Sequence, residues 1–240
     1  MITPYNDRES KVEQVRKMFN RIAPTYDKLN RIISLGMDKS WRRKALRMLL
    51  PYEPKNILDV ATGTGDLAID LYETIPGIQS IIGIDISDEM LRQGSRKIRE
   101  IGLEQTITLQ KQDCTATTFD DETFDAITVA FGIRNVEDIP AALREFYRLL
   151  KPGTPVLILE LSEPRNSIVR QGYKVYANLF IPWIGSLIAH DPQAYSYLPK
   201  SVAAVPQREK MVSLLLDTGF QEAFYHSYNP GICTLYLALK

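Results

Sequence analysis

Histidine and cysteine are both scarce in this chain, with two of each among 240 residues. Cys114 and Cys233 stand far apart, and neither belongs to a C-x-x-C. His190 and His226 add no ligand spacing, so neither a metal centre nor a disulfide framework is expected. No uncharged apolar run reaches the length of a membrane-spanning helix. The closest approach, "VYANLFIPWIGSLIAH" from Val175 to His190, is short and interrupted by Pro182. The opening "MITPYNDRESK" lacks the apolar segment of a secretory signal. Net charge is also missing, at 29 basic against 29 acidic residues, so nothing global argues for nucleic acid. A soluble, cytoplasmic chain is expected.

The charge balance is uneven along the chain. Residues 1–50 hold 12 Lys/Arg against 5 Asp/Glu, a surplus of +7 that the remainder cancels. Such a face could meet anionic lipid headgroups at the inner side of a membrane, or be ordinary solvated surface. Ser10 and Glu13 have capping-box spacing ahead of Val12, Val15, Met18, Phe19 and Ile22, which predicts a helix over 10–22. A loop-rich stretch, "APTYDKLNRIISLGMD", and a helix from about Ser40 to Leu50 follow. From Asn56 onward, short apolar strands alternate with helices of 10–15 residues, the pattern of a doubly wound, mostly parallel sheet. "FQEAFYHSY" and "ICTLYLALK" are joined only by "NPG", too short for a parallel crossover, so an antiparallel edge strand is expected at the C-terminal end. The reading is one domain over 1–240. Residues 1–52 form an N-terminal helical region, and 53–240 an α/β core of seven strands with an apolar insertion near 165–205. Pro182 should divide that insertion's helix into two short pieces.

"KNILDVATGTGDLAIDL" carries the chemistry. Gly63 and Gly65 end the first strand and open a helix, where a backbone without Cβ can approach a ligand. Gly63-Thr-Gly65-Asp-Leu-Ala68, with Asp85 further on, also satisfies a dinucleotide fingerprint. Asp59 and Asp66 oppose that reading, because they set negative charge where a pyrophosphate would lie. S-adenosylmethionine has an α-amino cation and a sulfonium but no phosphate. Asp85 would accept from its ribose hydroxyls, and Asp113, beside Cys114, from its adenine amino group. A capped turn is the structural alternative for Asp113.

Two further blocks give the chain a family resemblance. "YDKLNRIISLGMDKSW" (Tyr26 to Trp41) and "RLLKPGTPVLILELSEP" (Arg148 to Pro164) resemble signatures of the menaquinone/ubiquinone biosynthesis C-methyltransferases, within the class I methyltransferases. "AFGIRNV" (Ala130 to Val136) is a third similar block. The resemblance spans essentially the whole chain. Departures lie at Thr154-Pro155, where the family usually has a second glycine, and at "KSVAAVP". There Lys200 and Val205 stand in the expected Glu and Phe places. The resemblance implies methyl transfer from S-adenosylmethionine to a ring carbon of a prenylated quinol, converting demethylmenaquinol to menaquinol. Thr62, Asp85 and the Asp113–Cys114 pair occupy the family's cofactor positions.

Ring-carbon methylation needs an ortho hydroxyl to lose its proton, because the charge then delocalises onto the target carbon. A guanidinium beside the developing oxyanion assists that loss. Arg134 is the expected group, with Asn135 as its hydrogen-bonding neighbour and Tyr26 as a substrate contact. The alternative for Arg134 is an ion pair with Glu137 or Asp138. His190 is a secondary candidate for the base, and His226 lies in a predicted strand away from the cofactor end. Competing functions are a dual-purpose enzyme that also methylates a benzoquinol, a methyltransferase on another small acceptor, a nicotinamide-dependent oxidoreductase and a non-catalytic scaffold. Peripheral membrane contact fits the basic and apolar segments, and oligomeric state is not encoded in any motif.

Overall fold

The apolar runs of the α/β core become strands because each can be buried on both faces of a sheet. The structure is a computed structural model describing residues 2–5, 7–188 and 191–240. Its strands are β1 (Asn56–Val60), β2 (Ser80–Asp85), β3 (Ile107–Lys111), β4 (Ala126–Ala130), β5 (Pro155–Leu161), β6 (Glu222–Tyr228) and β7 (Cys233–Leu239). They form one sheet in the order β3-β2-β1-β4-β5-β7-β6, with β1 to β5 parallel. Strand order reverses between β1 and β4, which opens a crevice at their carboxyl ends.

β7 runs antiparallel to both β5 and β6. The antiparallel strand is therefore interior, and the edge is β6, a correction to the expected edge strand. Burial accounts for the order. β7 is buried along six of its seven residues, whereas "EAFYHSY" alternates toward solvent and suits an edge.

The helices are α1 (Lys11–Ile22), α2 (Tyr26–Ile33), α3 (Met37–Leu46), α4 (Asp66–Thr74), α5 (Asp88–Glu100), α6 (Ile139–Leu149), α7 (Ser167–Val175), α8 (Ile181–Ile188), α9 (Pro192–Ala204) and α10 (Glu209–Thr218). Side chains of α3, α4 and α5 pack one face of the sheet, and those of α6 and α10 the other. A third cluster joins Met18, Ile22 and Leu29 to Ala177, Ile181, Tyr195 and Tyr197. The N-terminal helices and the α7–α9 insertion thus share a small core of their own and act as one cap over the sheet's carboxyl edge.

Two helical expectations change. The segment read as loop-rich contains α2, held by Leu29 in the cap core. Residues 167–188 form one helical path, not two pieces. A single π turn at Tyr176–Phe180, in which Ile181 N–H reaches the Tyr176 carbonyl, absorbs the break before Pro182.

Arg42 fastens α3 to α4. Its buried guanidinium bonds to Asp70 at 2.6 Å and Asp38 at 3.0 Å, with Asp66 at 3.4 Å. Part of the basic surplus of residues 1–50 is engaged by carboxylates from beyond it in the same way, Arg21 by Asp191 and Arg43 by Glu73. Arg42→Ala is expected to lower stability by about 3–5 kcal/mol, because it strands buried carboxylates. Urea melts check this, and adding Asp70→Asn should recover part of the loss.

Candidate functional site

The carboxyl ends of β1, β2 and β4 frame a cleft of about 290 Å³. Ala61, at φ 52°, follows β1 and leads into the glycine turn. Gly63 and Gly65 both lie in the left-handed region, at φ 56° and 79°, which favours glycine there. A Cβ on Gly63 would meet no protein atom within 4 Å, so the backbone fronts open cleft. Gly65 opens α4 as its N-cap.

Asp85 ends β2 and lines the cleft. Its Oδ2 accepts from Gly63 N–H and its Oδ1 from Ser87 N–H, both at 2.9 Å, and each oxygen keeps a further acceptor lone pair. Burial raises its pKa, and those backbone N–H groups oppose the rise. Asp113 and Cys114 form the far wall. Asp113 Oδ1 accepts from Thr115 N–H and Oγ1–H, so the carboxylate both caps its turn and faces the cleft. The Cys114 thiol is pushed up to about 12, chiefly by burial.

Asp59 lies deeper, fully buried in β1, and contributes to a narrow polar slot with Thr62, Gly63 and Asp66. Thr62 and Thr128 hydroxyls donate to it at 2.6 and 2.8 Å. Desolvation nonetheless raises its carboxyl from 3.8 to about 7.

Charge decides what this cleft can hold. Its described walls present Asp85, Asp113, Glu137 and Asp138 and no lysine or arginine. A pyrophosphate would meet carboxylates and no cation, whereas a cationic nucleoside is matched. S-adenosylmethionine fits this donor set. Asp85 would hold its ribose, Asp113 and Cys114 its base, and the slot around Asp59 its charged end. Among the described residues no cluster suits a metal ion.

α1 closes the cleft from above. Val12, Val15 and Phe19 line it, while Lys11 Nζ donates to the Val136 carbonyl at 2.9 Å. At the other end, Asn20 Oδ1 accepts from Ser87 Oγ–H at 2.7 Å.

A second cavity of about 300 Å³, largely apolar, lies between α2, α3 and α7. Tyr26 and Phe131 line both cavities. Phe131 adopts φ 57°, an uncommon conformation for a bulky residue, and sequence reasoning gave it no role. Tyr26 packs edge-on against Phe19, and burial raises its phenol's pKa while nearby Arg134 lowers it.

Arg134 lines the second cavity with its side chain almost wholly buried. Its partner is not Glu137 or Asp138 but Glu160, at the end of β5, with Nη1 to Oε1 at 2.8 Å. Nη1 also donates to the Phe131 carbonyl, and Nε has no partner. Glu160 raises the guanidinium's pKa against the opposing effect of desolvation, so Arg134 remains a cation. Glu160 is the partner of Arg134 that sequence reasoning did not supply. A lone carboxylate in the apolar run "VLILEL" is a signal, since a buried charge requires a partner.

Asn135 does not bond to Arg134. It lines the first cleft with Oδ1 buried and unpartnered, because a 3₁₀ turn at Ile133–Asn135 sends neighbouring side chains to different sides. His190 lies outside the described residues. His226 sits on the edge strand against Tyr228. Lys200 is exposed and Val205 is packed in the main core, so neither departure from the family pattern lines the second cavity.

Residues 7–240 match the model of the ubiE/COQ5 methyltransferase family. A demethylmenaquinone methyltransferase of Porphyromonas gingivalis is 48% identical over 239 residues, covering 100% of this chain and 98% of that protein. A ubiquinone/menaquinone biosynthesis C-methyltransferase of Geobacter sulfurreducens is 41% identical over 239 residues, covering 100% of this chain and 93% of the relative. Among solved structures, an S-adenosylmethionine-dependent methyltransferase of Thermotoga maritima superposes with a TM-score of 0.65 at 19% identity, covering 93% of this chain and 99% of that one.

Proposed function

The chain belongs to the ubiE/COQ5 methyltransferase family, and from that premise we propose that it methylates a ring carbon of a prenylated quinol, converting demethylmenaquinol to menaquinol. It is an S-adenosylmethionine-dependent methyltransferase. One observation carries the acceptor assignment. An apolar cavity, sized for a ring and the start of a tail, meets the cofactor cleft at Tyr26 and Phe131 with a buried arginine in its wall.

When bound, the cofactor supplies an electrophilic methyl group on a sulfonium. The chain's own residues do the rest. The Arg134 guanidinium in the cavity wall favours the anion of the acceptor's hydroxyl, so electron density builds on the ortho carbon. Glu160 and the Phe131 carbonyl hold the guanidinium in place. Tyr26 and Phe131 align the ring, and α1 excludes water from the cleft. Peripheral contact with a membrane, where a prenylated acceptor resides, belongs to the same reading. Among the described residues no helix is long and apolar enough to cross a membrane.

The test is incubation with methyl-labelled S-adenosylmethionine and, separately, demethylmenaquinol and the demethylated benzoquinol, read by mass spectrometry. Labelled menaquinol is the expected product. Labelling of both quinols would make the enzyme dual-purpose, and labelling of neither would overturn the acceptor assignment.

Asp59 makes the cofactor step pH-dependent. Because its folded-state pKa is raised, its ionisation lowers the stability of the cofactor-free protein as pH climbs from about 4 toward 7. A cationic ligand favours the carboxylate, so binding expels a proton and tightens across the same range. Calorimetry in buffers of different ionisation enthalpy should show proton release at pH 6 and affinity rising about three- to tenfold by pH 8. Asp59→Asn should abolish the proton release.

A further inference from the structure

Residues 167–188 present an outward stripe that the site's chemistry does not use. Ile168, Val175, Leu179 and Trp183 follow one another at intervals of seven, four and four residues, on one helical face. They are 80%, 61%, 68% and 58% exposed. Exposed large apolar side chains set singly are ordinary, but four fall in line over about 22 Å of helix, the last three one turn apart.

The same segment is basic. Between Glu163 and Asp191 there is no acidic residue, while Arg165, Arg170 and Lys174 are all exposed. Arg165 pairs with Glu209, and Arg170 and Lys174 have no carboxylate partner among the described residues. An apolar row beside uncompensated positive charge, with a tryptophan at its end, matches a helix lying in the headgroup layer of an anionic bilayer.

Position ties the stripe to the substrate. Another side of the same helical path, through Val169, Tyr173 and Ala177, walls the apolar cavity. Leu35 lines that cavity too and is 73% exposed, and Tyr176 O–H donates to the Ile33 carbonyl beside it at 2.7 Å. The cavity therefore opens between Leu35 and the helix that carries the stripe.

We infer that this face docks on an anionic phospholipid surface and that the quinol's tail enters the cavity from the bilayer between Leu35 and α7. The inference rests on the quinol reading and adds the surface and the route. The docked enzyme draws the ring inward while the tail's distal part stays in lipid. None of the four stripe residues lines either cavity, so the stripe can be altered without touching the site.

The test compares the wild-type chain with an Ile168→Ser/Leu179→Ser/Trp183→Ser variant. Co-sedimentation uses vesicles of phosphatidylcholine alone and of equal parts phosphatidylcholine and phosphatidylglycerol. Wild-type protein should prefer the anionic vesicles, weaken with added salt, and lose at least about tenfold in partitioning in the variant. Methyl transfer to a water-soluble short-tailed quinol should be unchanged in the variant, while transfer to vesicle-borne long-tailed quinol falls in parallel with binding. Equal partitioning of the two proteins, or none by the wild type, would overturn the inference. A wild-type dimer that becomes monomeric in the variant, without vesicle binding, would assign the face to a second copy instead. Activity on the short-tailed quinol reports on the acceptor assignment separately.

Discussion

Replacing Arg134 by glutamine together with Glu160 by glutamine is expected to lower kcat by about 10²–10³-fold while cofactor affinity stays within about threefold. The double change matters because Arg134→Ala alone would leave Glu160 buried and unpaired and destabilise the cap. Two amides can still hydrogen-bond to each other, so no charge is left buried and unpaired, while the cation at the cavity wall and its bond to the Phe131 carbonyl are lost. The pH profile separates catalysis from packing. With the guanidinium present, the acceptor's hydroxyl ionises below the ordinary phenol value of about 10, and the rate levels off near neutrality. Without it, kcat should keep rising between pH 7 and 9, as hydroxide replaces what the protein supplied. Glu160→Gln alone should retain the plateau and lose about tenfold, since the cation remains but is held less firmly. A plateau unchanged in the double variant would remove Arg134 from the reaction.

The second large effect belongs to Asp85. Asp85→Ala should weaken S-adenosylmethionine binding by about 100-fold or more, because hydrogen bonds to a charged acceptor contribute about 1.5–3 kcal/mol each. The same substitution releases the Gly63 and Ser87 N–H groups, so the glycine turn loses its brace as well. Calorimetric titration of S-adenosylmethionine, with circular dichroism to confirm folding, measures this. Binding that survives intact would place the ribose elsewhere in the cleft.

The cofactor half of this site is written in local sequence. Gly63 and Gly65 are required by left-handed backbone, and Asp85 ends a strand whose neighbour is the glycine turn. Both follow from short-range pattern. The acceptor half is assembled from distant segments, and its legibility falls accordingly. Arg134 could be placed at the carboxyl edge from its loop position, but its tie to Glu160 crosses from β4 to β5 and has no local spacing. α2 is eight residues between Pro24 and Gly36, too short for a periodic signal. What fixes it is tertiary: Leu29 buried in the cap, and Asp27 bonded to Thr64 and Lys97. The positive φ of Phe131 is set by neighbours and leaves no trace in residue type. For α7 and α8 the proline rule predicted a break, and the π turn supplied the adjustment.

The interior place of β7 also sets an order of events during synthesis. This strand comes last in sequence, yet the sheet needs it between β5 and β6, with Thr234 opposite Glu160. While β7 is still within the ribosome, β5 has a bare flank and β6 has nothing to pair with. The carboxylate that holds Arg134 then sits on an open strand. A nascent chain can form its cofactor turn early, since β1 and β2 emerge together, but it cannot assemble the arginine side of its site. Chemistry in this enzyme therefore waits for β7 to leave the ribosome and enter the sheet.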